Sequence, residues 1–379
     1  MNKTMKKICI IISMIGLIGI NNSKAQNNEV KLEDLKLPSS PAFILLDVAP
    51  TSIDRPTTTK AFSTSILNSI NENNGIPENY ALDFAPYWFF KHKKLNAMNY
   101  WGFSKTKDGN FQKPFSQARY GNLSFATVKT EIPDDTLGTM KEISNIALGF
   151  RTTLLQWRSD KDIEDLISYN NKHVERLSQL TSDPNISPID LIRRLESDKI
   201  LSDCNKNIAN VLNRKPVIAL DLAGAGSWSF EDNTYSTVMS NRAGAWLTLN
   251  YAQSINKKDN RNKNDYINIY LTCRLLNDNN VLSGEGSLTS STIFDSGGKI
   301  ELELDKFSIS YEYLYRNDLN TNYNSYRSSG LIKYRASEQL LVTAAFGKNF
   351  GDLNNAITQI GISWCINNNN QRISVDKIE

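Results

Sequence analysis

The sequence predicts an all-β fold: a transmembrane antiparallel β-barrel of about 12 strands, within a range of 10–14, carrying a helical insertion. Apolar and polar residues alternate in segment after segment, and short turns alternate with longer polar connections. The segments are commonly about ten residues long, the length that a tilted strand needs to cross a bilayer. Twelve strands are favoured because bacterial single-chain barrels have even strand numbers.

The composition fits such a fold and excludes another class of membrane protein. Hydrophobic residues make up 40% of the 379 residues, somewhat below the globular average, as expected when only every second strand residue is apolar. No internal apolar run is long enough for a membrane-spanning helix. The sequence therefore excludes a helical membrane protein.

Residues 1–25 have the layout of a cleavable secretory signal peptide. Three lysines precede an apolar run over 8–20, and Ser23-Lys24-Ala25 offers a cleavage site. An uncleaved membrane anchor is the alternative. Cleavage would remove four lysines and no acidic residue, lowering the formal net charge from +3 to −1. We therefore predict no nucleic-acid partner.

The cysteines predict no cofactor and no metal site. Cys204, Cys273 and Cys365 follow the predicted signal peptide, an odd number at wide spacing without a CxxC pair. An exported chain that does not depend on disulfides favours a Gram-negative envelope protein, with outer-membrane lipid as its surroundings.

The chain divides into a lead-in, a barrel and a tail. Residues 26–79 are predicted to be a periplasmic lead-in, in which the stretch "SPAFILLDVAPTSIDRP" is a possible first strand or a packed segment. The barrel is predicted over 80–365, and a polar tail over 366–379. Within the barrel region, Pro86 interrupts the first alternating segment and weakens that strand.

The strand pattern is clearest at 297–317, where two ribbons meet at a tight turn. Ile300, Leu302 and Leu304 share one face, and after Asp305-Lys306 the alternation restarts. Two membrane-crossing strands joined at the periplasmic rim explain this arrangement. The same alternation predicts further strands with apolar faces at Leu82, Phe84, Trp88 and Phe90; Leu123 and Phe125; Ile146, Leu148, Phe150 and Leu154; Ile218, Leu220, Leu222, Trp228 and Phe230; Ala245, Leu247, Leu249 and Tyr251; Ile267, Ile269, Leu271 and Leu275; Ile332 and Tyr334; Leu340, Val342, Ala344 and Phe346; and Ile360, Ile362 and Trp364.

Turn lengths and aromatic positions favour a membrane barrel over a soluble sheet. Short turns at Asp305-Lys306 and 336–339 alternate with longer polar connections at 276–298 and 317–326. Aromatic residues that would form the interfacial girdles lie at segment ends: Tyr311, Tyr313, Tyr315, Trp228, Trp246 and Trp364. A secreted β-sandwich or an extended sheet remains the alternative, because the strands of these folds also alternate.

Residues 158–215 break the alternation and predict a helical insertion. Ile163, Leu166 and Val174 recur at helical spacing, and Ser187-Pro188 predicts an N-cap and first-turn proline for another helix. Counting strands back from a periplasmic C-terminus places the insertion on the periplasmic side. There it docks a periplasmic protein partner or merely decorates a turn.

The charged residues opposite the apolar faces are the candidate site. They are predicted to line the lumen: Arg151, Asp221, Arg274, Lys299, Glu301, Glu303, Glu312, Arg316, Lys333 and Arg335. Charges of both signs can line a water-filled pore and set its selectivity. They can equally pair across a filled lumen, because a barrel of about twelve strands can be plugged by side chains or loops.

An enzyme is the least favoured function, and we predict no catalytic residue. A barrel lipase would need a nucleophile and a base, and the chain offers only His92 and His173 as histidine bases. Neither lies beside a serine on a strand face, so both are interpreted as solvated surface residues. Two histidines so far apart also make a weak metal site, so we predict no metal ligand.

The opening segments also carry a family resemblance. "SPAFILLDVAPTSIDRP" and "YALDFAPYW" resemble the start of a family of uncharacterised outer-membrane barrel proteins of Gram-negative envelopes. The resemblance implies export and a barrel and brings no known ligand. A pore or a structural envelope component, with a scaffold that docks a partner as the alternative, is the predicted function; the oligomeric state is not predicted. The resemblance rests on Pro41, Ala42, Phe43, Pro50, Arg55, Pro56, Asp83, Pro86 and Tyr87.

Overall fold

The structure is a computed structural model of the chain. It describes residues 29–31, 40–49, 52, 62–69, 79–90, 95–106, 109–133, 140–182, 185–230, 238–255, 265–282, 288–337, 340–351, 356–366 and 372–375. The strands are β1 (Glu29–Lys31), β2 (Phe62–Ser69), β3 (Asn79–Phe84), β4 (Phe103–Thr106), β5 (Gly109–Gln112), β6 (Asn122–Pro133), β7 (Met140–Trp157), β8 (Ile218–Phe230), β9 (Val238–Ser254), β10 (Tyr266–Leu282), β11 (Leu288–Leu304), β12 (Phe307–Asp318), β13 (Asn324–Arg335), β14 (Leu340–Lys348), β15 (Ala356–Ile366) and β16 (Arg372–Ser374). The helices are α1 (Pro41–Leu45), α2 (Ala97–Trp101), α3 (Asp160–Thr181), α4 (Pro188–Ser197) and α5 (Lys199–Leu212).

Twelve strands form a closed antiparallel barrel. β2, β3 and β6 to β15 follow one another around the wall in chain order, and each pairs with its neighbours. β15 closes the barrel against β2, with Ile366 opposite Phe62. The predicted all-β barrel of about twelve strands with a helical insertion is therefore confirmed. Closure pairs the backbone groups of all twelve strands, as a sheet in hydrocarbon requires.

The barrel is apolar outside and charged inside. Along β12, Tyr311 is 57% exposed, while the next residue, Glu312, is 2% exposed. The same alternation exposes Ile300 and Trp364 and buries Lys299. A water-soluble protein would bury the apolar set instead, so this wall is built for lipid. Among the described helices, none is long and apolar enough to cross a membrane.

Several strand boundaries differ from the predicted ones. β10 and β11 have 17 residues each, so most of the predicted connection at 276–298 is strand. Polar residues on the outward face, such as Asn277 and Thr292, hide the alternation and made those ends resemble a loop. β3 ends at Phe84 because Pro86 begins a 3₁₀ turn that carries Trp88 away from the wall. The barrel begins at β2, within the predicted lead-in.

The two ends of the barrel differ. We call the end where β2 begins and β15 ends the base, and the opposite end the top. The tight turn at 305–306 is at the base, as are two long connections, 85–121 and 158–217. At the top, the described connection 319–323 is short.

The two long connections fold together into a cap at the base. The cap consists of residues 85–121 and 158–217 and has its own hydrophobic core. Trp88 stacks on Tyr120 with ring centroids 5.5 Å apart, and the Trp101 indole donates to the Leu212 carbonyl at 3.4 Å. Other buried members of this core are Leu95, Met98, Ile163, Leu166, Ile208, Val211 and Val375. The two connections are therefore packed to each other by apolar contacts.

Local sequence signals start the helices of the cap. Ser187 accepts a hydrogen bond from the Asp190 amide and Pro188 occupies the first turn of α4, as the sequence predicts. Asp198 caps α5 in the same way. These helices lie within 158–215, at the same end as the two barrel termini. Beyond the barrel, β16 in the predicted tail pairs with β1.

Candidate functional site in the barrel lumen

An N-terminal segment enters the lumen. We call residues 40–49, with Ser52, the plug segment. Its helix α1 is buried along its whole length inside the barrel. The sequence offers this stretch as a possible first strand, but it forms a helix that starts at Pro41. A short apolar run without alternation does not distinguish a strand from a buried helix.

One side of the lumen is made of small residues that leave room for α1. Ala126 and Ala147 pack against the plug segment, as does Ala223. At Gly149, an added Cβ would lie 2.9 Å from the Cβ of Pro41. A side chain there would collide with the plug segment, so the wall and the segment are shaped to each other.

Trp246 completes this apolar contact from β9. It is buried and packs with Phe43 rather than facing lipid, so its predicted place in an aromatic girdle is wrong. Its neighbours Ala245 and Leu247 face outward, and alternation therefore points Trp246 inward.

The opposite side of the lumen carries four arginines that we call the arginine cluster: Arg242, Arg274, Arg316 and Arg327. Strand register brings two of them together, because Asp295 on β11 is the pairing partner of both Arg274 and Arg316. Asp295 accepts from Arg274 Nε and from Arg316 Nε, each at 2.8 Å. The wall therefore fixes these guanidiniums.

Asp47 of the plug segment is held by three of these arginines. Its carboxylate accepts from Arg316 at 2.9 and 3.2 Å, from Arg274 at 2.9 Å and from Arg242 at 3.0 Å. Burial alone would raise the pKa of Asp47. The three guanidiniums outweigh burial and hold the pKa well below its usual value of 3.8.

The cluster also binds the plug backbone. Arg274 donates to the Ile44 carbonyl at 2.9 Å, at the C-terminal end of α1, where cations are favoured. Arg327 donates to the Ala49 carbonyl at 2.6 Å. On the same side, Glu312 accepts from the Ser52 amide at 3.0 Å. The plug segment is thus held by apolar contacts on one side and mainly by polar contacts on the other, where Leu45 also packs against Leu276 and Ile293.

Four of the predicted lumen residues form a second group nearer the base. We call Lys299, Glu301, Glu303 and Lys333, with Lys215 of the cap, the lysine–glutamate cluster. Glu301 lies 4.0 Å from Lys299 and 3.7 Å from Lys333, and Tyr270 donates to it at 2.9 Å. Lys215 reaches Glu303 at 2.6 Å. This cluster joins the cap to the barrel wall.

The remaining predicted residues are spread along the wall. Arg151 lies 3.9 Å from Asp83. Asp221 accepts from the Thr153 hydroxyl at 2.6 Å. Arg335 is half-buried at the end of β13. The structure therefore places the predicted set on the inner face and gathers only part of it around the plug segment.

Five residues of the site were missed at the sequence level: Asp47, Arg242, Asp278, Asp295 and Arg327. Arg242 shares the parity of Thr248 on β9, and Arg327 that of Lys333 on β13. Asp278, which pairs with Arg242, and Asp295 lie in the stretch predicted as a connection. The parity signal was present for the four wall residues, whereas no alternation pointed to Asp47.

The two histidines lie away from this site. His173 is fully buried in α3 of the cap, so its interpretation as a solvated residue is wrong. It lies on the α3 face that carries the buried Leu166 and Asn170. His92 lies outside the described residues.

Comparisons with known proteins give weak matches. No protein-family model and no curated protein matches the sequence. The chain is similar to the solved KdgM porin in complex with disordered oligogalacturonate, at 7% identity over 80% of this chain and 97% of that chain, with a TM-score of 0.33. It is also similar to the NanC porin, at 8% identity over 80% and 98%, with a TM-score of 0.33. It is similar as well to the Acinetobacter baumannii outer membrane protein Omp33, at 9% identity over 82% of this chain and 99% of that chain, with a TM-score of 0.31. Such low similarity identifies no ligand or activity, and the family resemblance of the opening segments stays a prediction.

Proposed function

We propose that the chain is a pore of the Gram-negative outer membrane whose lumen is closed by its own plug segment. The observation that carries the proposal is the insertion of Asp47 and α1 between the arginine cluster and a wall of small residues. The wall side chains of a twelve-stranded barrel do not fill all the space that the barrel encloses. A segment that fills this space is a natural gate.

The way the plug segment is held favours a gate over a permanent filling. α1 has five residues and belongs to no β-ladder. Its removal breaks ion pairs and packing but no strand pairing, whereas the loss of a strand would leave ladder groups unpaired in lipid. Its main anchor is a buried ion-pair network, and water can replace part of that network once the lumen opens. Departure of the plug segment therefore costs less free energy than the loss of a barrel strand.

Planar-bilayer conductance tests the proposal. In the unplugged variant, residues 40–52 are replaced by a Gly-Ser linker of equal length. We expect discrete, long-lived ion steps from this variant and rare openings from the wild type. Heat-modifiable gel mobility would show that both barrels are folded. A folded unplugged barrel that does not conduct would rule out the pore.

Docking of a periplasmic protein through the cap is a second candidate function. Ile189 is 71% and Ile192 55% exposed on α4. Exposed isoleucines on an amphipathic helix are typical of an interaction surface. A photo-crosslinker at position 189 should capture a defined protein in cells, and one at the exposed Glu175 should not. Equal labelling from both positions would remove this candidate.

A further inference from the structure

We infer that the arginine cluster, once the plug segment has left, binds a solute with one carboxylate flanked by hydroxyl or carbonyl oxygens. Asp47 then acts as a tethered competitor for this solute. The inference rests on the proposed pore function, because the solute reaches the site through an open lumen.

The charges of the cluster call for a single carboxylate. Among the described residues, three wall carboxylates pair with the four arginines: Asp278 with Arg242, Asp295 with Arg274 and Arg316, and Glu312 with Arg327. Asp47 supplies the fourth negative charge. When it leaves, one positive charge in the cluster lacks a counterion, and a monoanion restores the balance.

The geometry around Asp47 fits a planar carboxylate. Arg316 contacts both of its oxygens, Nη1 to Oδ2 at 2.9 Å and Nη2 to Oδ1 at 3.2 Å. Arg274 and Arg242 each add a donor to one oxygen, at 2.9 and 3.0 Å. A two-pronged guanidinium contact matches a carboxylate in a way that a single ammonium does not.

The flanking donors define the rest of the solute. Arg274 Nη1 and Arg327 Nη2 donate to the carbonyls of Ile44 and Ala49, which belong to the plug segment. Withdrawal of the plug segment removes both acceptors. Neutral oxygens beside the solute carboxylate would satisfy these donors, whereas an apolar chain would leave them unsatisfied.

The site does not depend on the plug segment for its shape. Asp295 holds Arg274 and Arg316 from the wall, and Asp278 accepts from Arg242 Nε at 2.7 Å. The Arg316 guanidinium also lies 3.5 Å from the centre of the Phe350 ring. These contacts keep the donors in place in the open lumen, so a solute meets a preorganised site.

Calorimetry in detergent with gluconate, neutral glucitol and inorganic phosphate tests the site. Gluconate carries one carboxylate and several hydroxyls, and glucitol has the hydroxyls alone. We expect gluconate to bind the unplugged variant about tenfold or more tightly than the wild type, because the wild-type site is vacant only while the plug segment is out. Glucitol should bind at least about tenfold more weakly than gluconate because it has no carboxylate for the guanidiniums. Phosphate should also bind at least about tenfold more weakly because it has no flanking hydroxyls for the donors that the Ile44 and Ala49 carbonyls leave.

Two matched variants of the unplugged protein locate the binding. Arg316→Lys keeps the charge but loses the two-pronged contact, and should weaken gluconate binding about tenfold. Lys333→Gln removes a lumen cation from the lysine–glutamate cluster and should leave the affinity unchanged. If Arg316→Lys fails to fold, full-length Asp47→Asn decides, since it should bind gluconate more tightly than the wild type.

The outcomes separate this site from the pore. Two results would overturn the site even if the unplugged barrel conducts. One is that gluconate binds no more tightly than glucitol, and the other is that both variants lose gluconate affinity equally. A barrel that binds gluconate as expected but does not conduct would support the site and overturn the pore.

Discussion

Asp47 is the side chain of the plug segment that contacts most of the arginine cluster. Its backbone has a φ of 57°, a left-handed conformation that aspartate tolerates better than most residues. The chain leaves α1 at this point, and the carboxylate turns toward Arg242, Arg274 and Arg316. The charge of this residue, more than its size, should hold the plug segment in place.

Asp47→Asn should loosen the plug segment while keeping the shape of the side chain. Loss of one partner from a buried ion-pair network costs about 3 kcal/mol, on the order of a hundredfold in the opening equilibrium. Hydrogen exchange of the amides over 42–49 should accelerate accordingly. Asp305→Asn is the matched control, since Asp305 also has a positive φ but lies exposed in a turn. Unchanged exchange in Asp47→Asn would contradict this role.

The closed state should weaken in acid. The pKa of Asp47 is depressed when the plug is in, so its stabilising effect is complete above its usual value of 3.8 and is lost as the pH falls below it. Each unit by which the pH falls below 3.8 should shift the opening equilibrium about tenfold toward the open state. Asp278, Asp295 and Glu312 also face the cluster, so Asp47→Asn serves as the reference. Equal acid responses of exchange in the two proteins would show that Asp47 is not the responsible group.

Alternation predicts which wall residues face the lumen but not what fills it. Arg274 and Arg316 could be predicted because each opposes an apolar face. Asp47 could not, since nothing in its neighbourhood repeats every second residue. Its partners are more than 190 positions away in the chain, and only the closed wall brings them together.

At the level of elements, the fit between α1 and the wall is steric as well as charged. Ala126, Ala147 and Gly149 lie where larger side chains would occupy the space of the plug segment. Well-packed interiors tolerate little added volume. The wall therefore offers a second way to open the lumen without touching any charge.

Ala147→Leu should push the plug segment out. Overpacking of a tight contact costs about 1–3 kcal/mol, and the strands are held by ladders that the plug segment lacks. The variant should show more frequent bilayer openings than the wild type. Ala245→Leu, the same change on the lipid-facing side of β9, should behave as the wild type. Equal opening frequencies in the two variants would argue against a tight fit.

The elements differ in how far the sequence predicts them. α4 could be predicted from Ser187 and Pro188, because caps are local signals. α1 could not, because five apolar residues carry no period. The outer ends of β10 and β11 were missed since polar residues such as Asn277 and Thr292 interrupt the outward apolar face there, whereas pairing in the closed barrel continues through them.

The whole molecule is a barrel with the cap at its base. An apolar outer face, a charged lumen and a closed ladder together require a lipid or detergent surrounding. Lys215 ties the cap to Glu303 on the barrel wall. The base is therefore built up around the barrel termini.

The chain should fractionate with the outer membrane and require detergent for solubility. Unheated samples should migrate differently from boiled ones on a gel, because the closed ladder resists detergent until it is heated. Substitutions that remove the apolar contacts of the cap should leave this difference in gel mobility unchanged. A mature chain that stays monomeric in water without detergent would contradict the membrane barrel.

A reversible lock on the plug segment tests the closure of the lumen most directly. Pro41 and Gly149 are close enough for cysteines at both positions to form a disulfide after a small shift. In an Asp47→Asn background whose native cysteines are replaced by alanine, the oxidised protein should give almost no current in a planar bilayer. Addition of a reductant should start discrete ion steps in the same membrane. The same current before and after reduction, with the disulfide verified on a gel, would show that the plug segment does not close the pore.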